Sequence, residues 1–370
     1  MIKKKEFNNN KLGFGLMRLP RRGRGIDVKH TSQMVDKFLE AGLTYFDTAF
    51  VYPGSEEATR KALVERYPRE SFTLATKLFA ANIPTEEKAK EELDISLQRT
   101  GAGYFDFYLL HCLMKSNYKK FEEFHLWDFV KEEKKKGRIK HYGFSFHDGP
   151  ELLDEILTAH PDVEFVQLQI NYADWNDSEV QSKANYEVAR KHGVPIVIME
   201  PVKGGKLANP PKEIKKLFKA YDKNASYASW AIRFAASLDG VLAVLSGMSN
   251  NAQMDDNLSY MKNFKPLNKE EMEIIKKAQE ILKSSKEISC TGCRYCVDGC
   301  PKKIPIPDIF AARNKQLGLG LIEEGKKSYK DAVKGKGKPA DCLKCKKCQG
   351  VCPQQLPIID LLKECDEAFK

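Results

Sequence analysis

The chain has 370 residues, 42% hydrophobic and 30% charged, with a formal net charge of +10. That length exceeds one small domain and suits one large domain joined to a module. The apolar content is ordinary for a soluble protein, and no apolar run approaches the ~20 residues of a membrane helix.

The N-terminus, MIKKKEF, is basic but lacks the apolar stretch of a signal peptide, so the expected location is cytoplasmic, with no membrane association. Over the first 265 residues, short apolar runs alternate with longer helical patterns. This is the rhythm of parallel strands joined by crossover helices. Candidate strands fall at 12–17, 43–47, 72–77, 105–111, 139–145, 165–171, 195–201 and 240–247. Helical patterns separate them, for example at 31–41, 56–67, 85–99, 118–136 and 178–192. Eight strand–helix pairs predict an α/β fold, a (β/α)8 TIM barrel over residues 1–265. A doubly wound sheet is the rival, but it calls for a glycine-rich turn after the first strand, and no G-x-G-x-x-G opens a helix here. Residues 266–287 read as a charged linking helix, and residues 288–370 as a separate module.

In such a barrel, polar residues at the C-terminal ends of strands face the active site. The second strand ends at Asp47, with Tyr52 five residues on; the third ends at Lys77 and the fourth at His111. A tyrosine is a reluctant acid at neutral pH, but a nearby ammonium favours its phenolate. An aspartate would keep that ammonium charged and oriented, and a histidine would fix the direction of the phenol or of the substrate oxygen. The set suits carbonyl reduction with Tyr52 as the general acid.

The module carries two cysteine runs of identical spacing, C-x2-C-x2-C-x3-C-P. The first is Cys290, Cys293, Cys296 and Cys300, and the second is Cys342, Cys345, Cys348 and Cys352. This spacing places three thiolates on one iron–sulfur cube and sends the fourth to a neighbouring cube. The predicted ligand sets are therefore Cys290, Cys293, Cys296 and Cys352 for one [4Fe–4S] cluster, and Cys342, Cys345, Cys348 and Cys300 for the other. Zinc sites favour separated pairs of ligands, and disulfides need an oxidising compartment. Between the runs, a helical pattern over 306–315 favours a small, mainly helical ferredoxin-like module. The excess lysines read mainly as a solvated face. Lys344, Lys346 and Lys347, inside the second run, lend local support to a landing surface for an acidic redox partner such as ferredoxin or flavodoxin. No motif points to nucleic acid.

Several stretches together resemble the aldo/keto reductase family: LGFGLMRLP, YFDTAFVYPGSE, ATK at Lys77, DFYLLH at His111, GFS at Ser145, QLQINY at Gln169 and SGMSNNAQMDDNL near Gly247. The likeness spans about residues 1–265, and the appended module is similar to that of the family's subgroup with a C-terminal dicluster ferredoxin domain. It implies a catalytic tetrad of Asp47, Tyr52, Lys77 and His111. It also implies an NAD or NADP cofactor, with Ser145 and Gln169 on the nicotinamide carboxamide and Met199 at the position of a stacking aromatic. Phe146 stands where the family has an asparagine. At the adenosine end, the resemblance assigns Gly247, Met248, Gln253, Asp256 and Asn257 to the cofactor, with Gln253 in place of a basic residue that grips the 2′-phosphate. Met17, Phe79 and Cys112 would line a pocket for a small carbonyl or alcohol substrate, and His147 lies just beyond a strand end.

Hydride transfer moves two electrons together, whereas each cluster carries one. Three readings of the fusion follow. The clusters exchange electrons with an external carrier, or they are structural or redox-sensing beside an ordinary reductase. Alternatively, the chain is an electron-transfer protein whose barrel has a reduced or different catalytic role.

Overall fold

The structure, a computed structural model, describes residue 2 and residues 10–23, 25–284 and 286–370, so most of the basic MIKKKEF segment lies outside the described residues. Two compact units are present. One comprises Met1–Asp177, Gln181–Pro201 and Ala228–Met272, and the other Ser178–Val180, Val202–Tyr227 and Glu273–Lys370.

In the first unit, eight parallel strands close into a barrel. They are β1 (Leu12–Gly15), β2 (Tyr45–Asp47), β3 (Thr73–Leu78), β4 (Phe105–Leu113), β5 (Ile139–Phe146), β6 (Phe165–Gln169), β7 (Ile196–Met199) and β8 (Val241–Ser246). Each pairs with its neighbour in sequence, and β8 closes on β1. All eight fall within a residue or two of the expected runs, because a buried parallel strand is written as a near-continuous apolar stretch. A two-stranded ribbon, Arg21–Arg22 with Gly25–Ile26, was not expected; it is too short to carry a periodic pattern.

The helices around the barrel follow the 3.6-residue period. Val28–Glu40 buries Thr31, Met34, Val35 and Phe38, one stripe of an amphipathic helix. Phe38 meets Phe46 edge-on at 5.1 Å between ring centroids and Phe14 at 5.7 Å. Burying such a ring contributes ~2 kcal/mol. Asp27 and Thr85 cap helix N-termini by accepting from the His30 and Lys88 amides. Two expected helices are shorter than their patterns. The 118–136 stretch breaks into Tyr118–Glu123 and Leu126–Lys135 at His125, whose φ of 47° is left-handed. The 178–192 stretch begins only at Ser182, after Gln181 at φ 50°. Side-chain periodicity does not report a single left-handed residue.

Inside the barrel, Tyr45, Ala75, Phe107, Leu109, Phe165, Val197, Ala243 and Leu245 form one packed cluster. The strand register puts Gly143 beside Phe165, and a Cβ on Gly143 would overlap that residue, so the aromatic fills the space.

The second unit is helical. Its helices include Tyr295–Asp298, Ile306–Leu319, Ile322–Val333 and Ile358–Ala368. Ile304, Ile306, Ile309, Phe310, Leu362 and Cys365 are the centre of its core, with Cys296, Cys348 and Cys352 among them. Tyr329 stacks on Phe369 at 4.3 Å between ring centroids. Helix Lys269–Lys283 occupies the expected linking segment. Among the described residues, no helix is long and apolar enough to cross a membrane.

Candidate active site and cysteine cavities

Strand periodicity builds the barrel mouth. Side chains alternate in and out along a strand, so residues two apart share a face. Tyr45, Ala75, Leu109 and Val197 point inward; therefore Asp47, Lys77, His111 and Met199 do too, one step nearer the C-terminal end. Pairing transmits the same face to Ser145, across from Gln167, and to Gln169, across from Met199.

The structure brings Asp47, Tyr52, Lys77 and His111 together. Lys77 Nζ donates to Asp47 Oδ1 at 2.5 Å and to the Thr48 carbonyl at 2.7 Å. The same nitrogen lies 5.3 Å from the centroid of the Tyr52 ring. Tyr52 meets the His111 ring edge-on at 6.1 Å, and Phe79 meets the same imidazole at 5.6 Å. Tyr52 is half-buried, whereas Lys77, Asp47 and His111 are 1%, 3% and 3% exposed. Burial pulls the Lys77 amine down and pushes the Asp47 carboxyl up; their mutual contact opposes both shifts. Burial, reinforced by the charge of Lys77 and then by His147, holds the His111 imidazole well below the usual histidine range. His111 is therefore neutral at physiological pH. Burial also pulls His147 down to about 4.

Sequence reasoning missed the carboxylates behind this group. Glu56 is 1% exposed, accepts from Thr76 Oγ1 at 2.8 Å, and its charge favours protonated Lys77. Glu92 accepts the Phe79 N–H at 2.7 Å, and burial lifts its carboxyl to about 8. The signal for Glu56 was its place four residues after Tyr52; Glu92 left none, since helical glutamates are ordinarily solvent-facing.

Cys112 has φ 62° inside β4, at a register shift against β5 between Leu110 and Leu113. Such bulges re-aim side chains beside active sites. The bulge is stitched on both sides: Cys112 N donates to Ser145 Oγ at 2.7 Å, and Asn117 Nδ2 donates to Cys112 O at 2.8 Å. Asn117 Oδ1 also accepts the Met114 N–H at 2.9 Å.

The expected carboxamide contacts sit at adjoining strand ends. Ser145 Oγ accepts from Cys112, which directs its hydroxyl proton elsewhere. Gln169 Nε2 donates to Asp174 Oδ2 at 2.8 Å, and Asn171 Nδ2 donates to the same oxygen at 2.7 Å. That orients the Gln169 amide with its carbonyl as the acceptor. Asn171 and Asp174 were not anticipated; they follow Gln169 in the stretch QINYAD. Met199 receives an N–H from Gln167 on its sulfur at 3.5 Å. Phe146 is 2% exposed and packs edge-on against Phe144.

At the end of β8, Gly247 lies against the aliphatic stem of Arg18, and Met248 is buried. Asn250 caps helix Asn251–Met261 by accepting the Gln253 N–H at 2.9 Å. Gln253 Oε1 accepts the Ser249 N–H at 2.7 Å. Asp256 and Asn257 lie on the first turns of that helix, with Asn257 Nδ2 3.5 Å from Asp256 Oδ2.

The eight cysteines of the module ring two hollows. One is lined by Cys290, Cys293, Cys296 and Cys352. The other is lined by Cys300, Cys342, Cys345 and Cys348. The fourth cysteine of each run thus joins the first three of the other, and Ile306 lines both hollows. Among the described residues, no three cysteine, histidine or carboxylate side chains converge on a single-ion point. Four soft thiols disposed around each hollow are a donor set that fits an iron–sulfur cube.

Residues 11–280 match the model of the aldo/keto reductase family, and residues 289–357 match that of the 4Fe-4S dicluster domain. The methylglyoxal reductase DkgA of Yersinia pestis is 27% identical over 270 residues, covering 70% of this chain and 88% of that protein. An aldo-keto reductase of Mycolicibacterium smegmatis is 30% identical over 142 residues, which is 38% of this chain and half of the relative's length. Among solved structures, the holo form of an aldo-keto reductase from Bacillus halodurans aligns with a TM-score of 0.58 at 26% identity, covering 72% of this chain and 91% of that one. An NADPH complex of an aldo-keto reductase from Klebsiella pneumoniae, at 18% identity and a TM-score of 0.57, shares the fold over 72% of this chain and 90% of that one.

Proposed function

The chain belongs to the aldo/keto reductase family and carries a 4Fe-4S dicluster domain, and from that premise we propose that it interconverts a small carbonyl compound and its alcohol with NAD or NADP. Each of the two hollows would hold a [4Fe–4S] cluster, which would supply one-electron chemistry. The observation that carries the catalytic reading is the buried Lys77, held by Asp47 and Thr48 with Tyr52 and His111 beside it.

The chain's donors and acceptors fit a nicotinamide carboxamide. Ser145 has a hydroxyl proton to give, and Gln169 has a carbonyl to accept with. Met199 offers a soft apolar face at the stacking position. Gly247, Met248, Gln253, Asp256 and Asn257 would hold the adenosine and phosphate end, next to a capped helix N-terminus. Gln253 brings no cation to a 2′-phosphate, which weakens the case for NADP over NAD.

A nicotinamide held by Ser145 and Gln169 would supply hydride for the carbonyl carbon in reduction and take it in oxidation. Tyr52 gives its phenolic proton to the substrate oxygen in reduction and takes it back in oxidation. The ammonium of Lys77 stabilises the phenolate left behind. Asp47 and the Thr48 carbonyl accept two of its N–H groups, and its nitrogen lies 5.3 Å from the centre of the Tyr52 ring. Neutral His111 orients the substrate oxygen by hydrogen bonding without competing for the proton. Met17, Phe79 and Cys112 offer apolar or soft walls to the substrate. In the module, Cys290, Cys293, Cys296 and Cys352 would hold one cluster, and Cys300, Cys342, Cys345 and Cys348 the other.

A second reading makes the clusters the working centre and gives the barrel a reduced role; Phe146 in place of the family's asparagine favours it. Cytoplasmic residence and an acidic protein partner belong to both readings. The deciding experiment is an anaerobic titration with NADH and with NADPH. We expect about eight irons per chain, a broad absorption at about 400 nm and binding of the preferred nucleotide; bleaching on its addition would show that barrel and clusters exchange electrons. An iron-free anaerobic preparation would sink the cluster assignment; a nucleotide that neither binds nor bleaches would sink the reductase reading.

A further inference from the structure

The two cysteine runs share a spacing but not a surface. The matching loops place left-handed residues at the same two positions. In the first run these are Gly292 (φ 71°) and Arg294 (φ 70°); in the second they are Lys344 (φ 54°) and Lys346 (φ 62°). Glycine occupies a left-handed position without steric cost, and any other residue is strained there. The first run uses the easy residue, whereas the second keeps a lysine where glycine would fit better. The cations also differ in employment. Arg294 is fully engaged, bidentate to Asp308 at 2.8 and 3.0 Å. Lys302, Lys303, Lys344, Lys346 and Lys347 are all exposed, and none makes an ion pair among the described residues.

Exposure follows the same divide. Around the first hollow Cys296 and Cys352 are buried, and Cys290 and Cys293 are half-buried. Around the second, Cys345 is exposed. Leu343, which lines that hollow, is 59% exposed, more than any other large hydrophobic residue described. A [4Fe–4S]2+ cube with four thiolates carries a charge of about −2. Five lysines outweigh that charge, even with Asp341 at the edge, where it accepts from the Lys338 N–H. Lys302 and Lys347 line the hollow together with Leu343, and Lys303, Lys344 and Lys346 adjoin them in the chain, so an exposed apolar residue and uncommitted positive charge share this mouth, as in a transient protein interface.

We propose that the mouth of the second hollow, Leu343 with Lys302 and Lys347 in its lining and the exposed Lys303, Lys344 and Lys346 next to them in the chain, is the docking surface for a small acidic one-electron carrier protein. The proposal rests on the cluster reading above and adds which of the two hollows is the port. Each productive encounter passes one electron: the carrier is oxidised by one, the chain is reduced by one, and no bond or proton changes hands. Positive charge without partners steers an acidic protein to the port, and the short, exposed approach at Cys345 brings the donor close.

The test uses the iron-loaded full chain and an oxidised bacterial 2[4Fe–4S] ferredoxin, with affinity measured at ~20 and ~200 mM salt. We expect binding at low salt that weakens about tenfold or more at high salt. The double variant Lys344→Glu, Lys347→Glu should lose at least about tenfold in affinity and most of the salt dependence, with iron content and nicotinamide binding unchanged. Lys344→Gly is the second variant: it should leave the loaded protein as stable as the parent, or more so, and still weaken ferredoxin. Unchanged ferredoxin affinity in both variants, at full iron content, would overturn the proposal. So would tight binding of phosphatidylserine vesicles without ferredoxin binding, which would make the rim a membrane contact. An iron-free wild-type chain, seen before ferredoxin is added, would instead remove the cluster reading.

Discussion

The barrel mouth and the cysteine module solve the placement of functional groups in different ways. At the mouth, β-register and hydrogen bonds do the placing: Lys77 is locked by Asp47 and Thr48, Gln169 by Asp174, and the Cys112 bulge by Ser145 and Asn117. In the module the thiols come from loops with left-handed turns, and Cys296, Cys348 and Cys352 belong to its hydrophobic core. A site held by backbone register keeps its shape without its cofactor. A core that includes its own ligands depends on what those ligands hold.

The largest expected effect tests that contrast directly. Stripping iron with a chelator under anaerobic conditions should collapse the module and spare the barrel. Circular dichroism should lose helix but retain the barrel signal, and limited proteolysis should cut between residues 290 and 352 first. Equal protection of both regions without iron would erase the distinction.

Next come two substitutions at the mouth. Tyr52→Phe should lower kcat for carbonyl reduction by about 10²–10⁴-fold while nicotinamide affinity stays within about twofold. Lys77→Met should lose comparable activity and, in addition, about 3–5 kcal/mol of stability, because it leaves Asp47 buried without its cation. Urea unfolding of the two variants separates the roles: a Tyr52 variant as unstable as the Lys77 variant would mean that Tyr52 serves the fold rather than the chemistry.

The same contrast explains what could be read from sequence. The eight strands were legible because buried parallel strands are continuous apolar runs, and Asp47, Lys77 and His111 stood out as polar residues ending them. The crosswise grouping of the thiols followed from ligand spacing alone, and the hollows group them in the same way. The supporting layer was hidden. Glu92, Asn117 and Asp174 act through one or two hydrogen bonds to backbone or side chain, and such bonds have no period. Left-handed breaks at His125 and Gln181 were invisible for a similar reason: they change the chain direction without changing the pattern of apolar residues.

A smaller effect sharpens the picture of the mouth. Asn117→Ala removes the stitch to the Cys112 carbonyl and the acceptor of the Met114 N–H, leaving only the Ser145 stitch, and should cost about 1–3 kcal/mol. Because the bulge carries Cys112 against Ser145, nicotinamide affinity should fall with stability. Loss of stability with unchanged affinity would separate the bulge from the cofactor site.

The smallest effect is a pH dependence seated in Glu92. Its carboxyl is lifted from 4.5 to about 8 by burial, with help from the charge of Glu56 and against Arg99. Between those two values the folded chain holds a proton that the unfolded chain has released. Stability therefore falls as pH rises through that window, and the loss is complete above about 8. Glu92→Gln keeps an acceptor for the Phe79 N–H but cannot titrate. The variant should match the wild type near pH 5 and exceed it progressively as pH rises to 8, read from urea midpoints of the iron-loaded proteins. Since Phe79 packs on His111, the activity of the wild type should also drift across this window while that of the variant stays level. Parallel stability profiles for the two proteins would show that Glu92 is ionised throughout, and that the floor beneath the mouth carries a full negative charge.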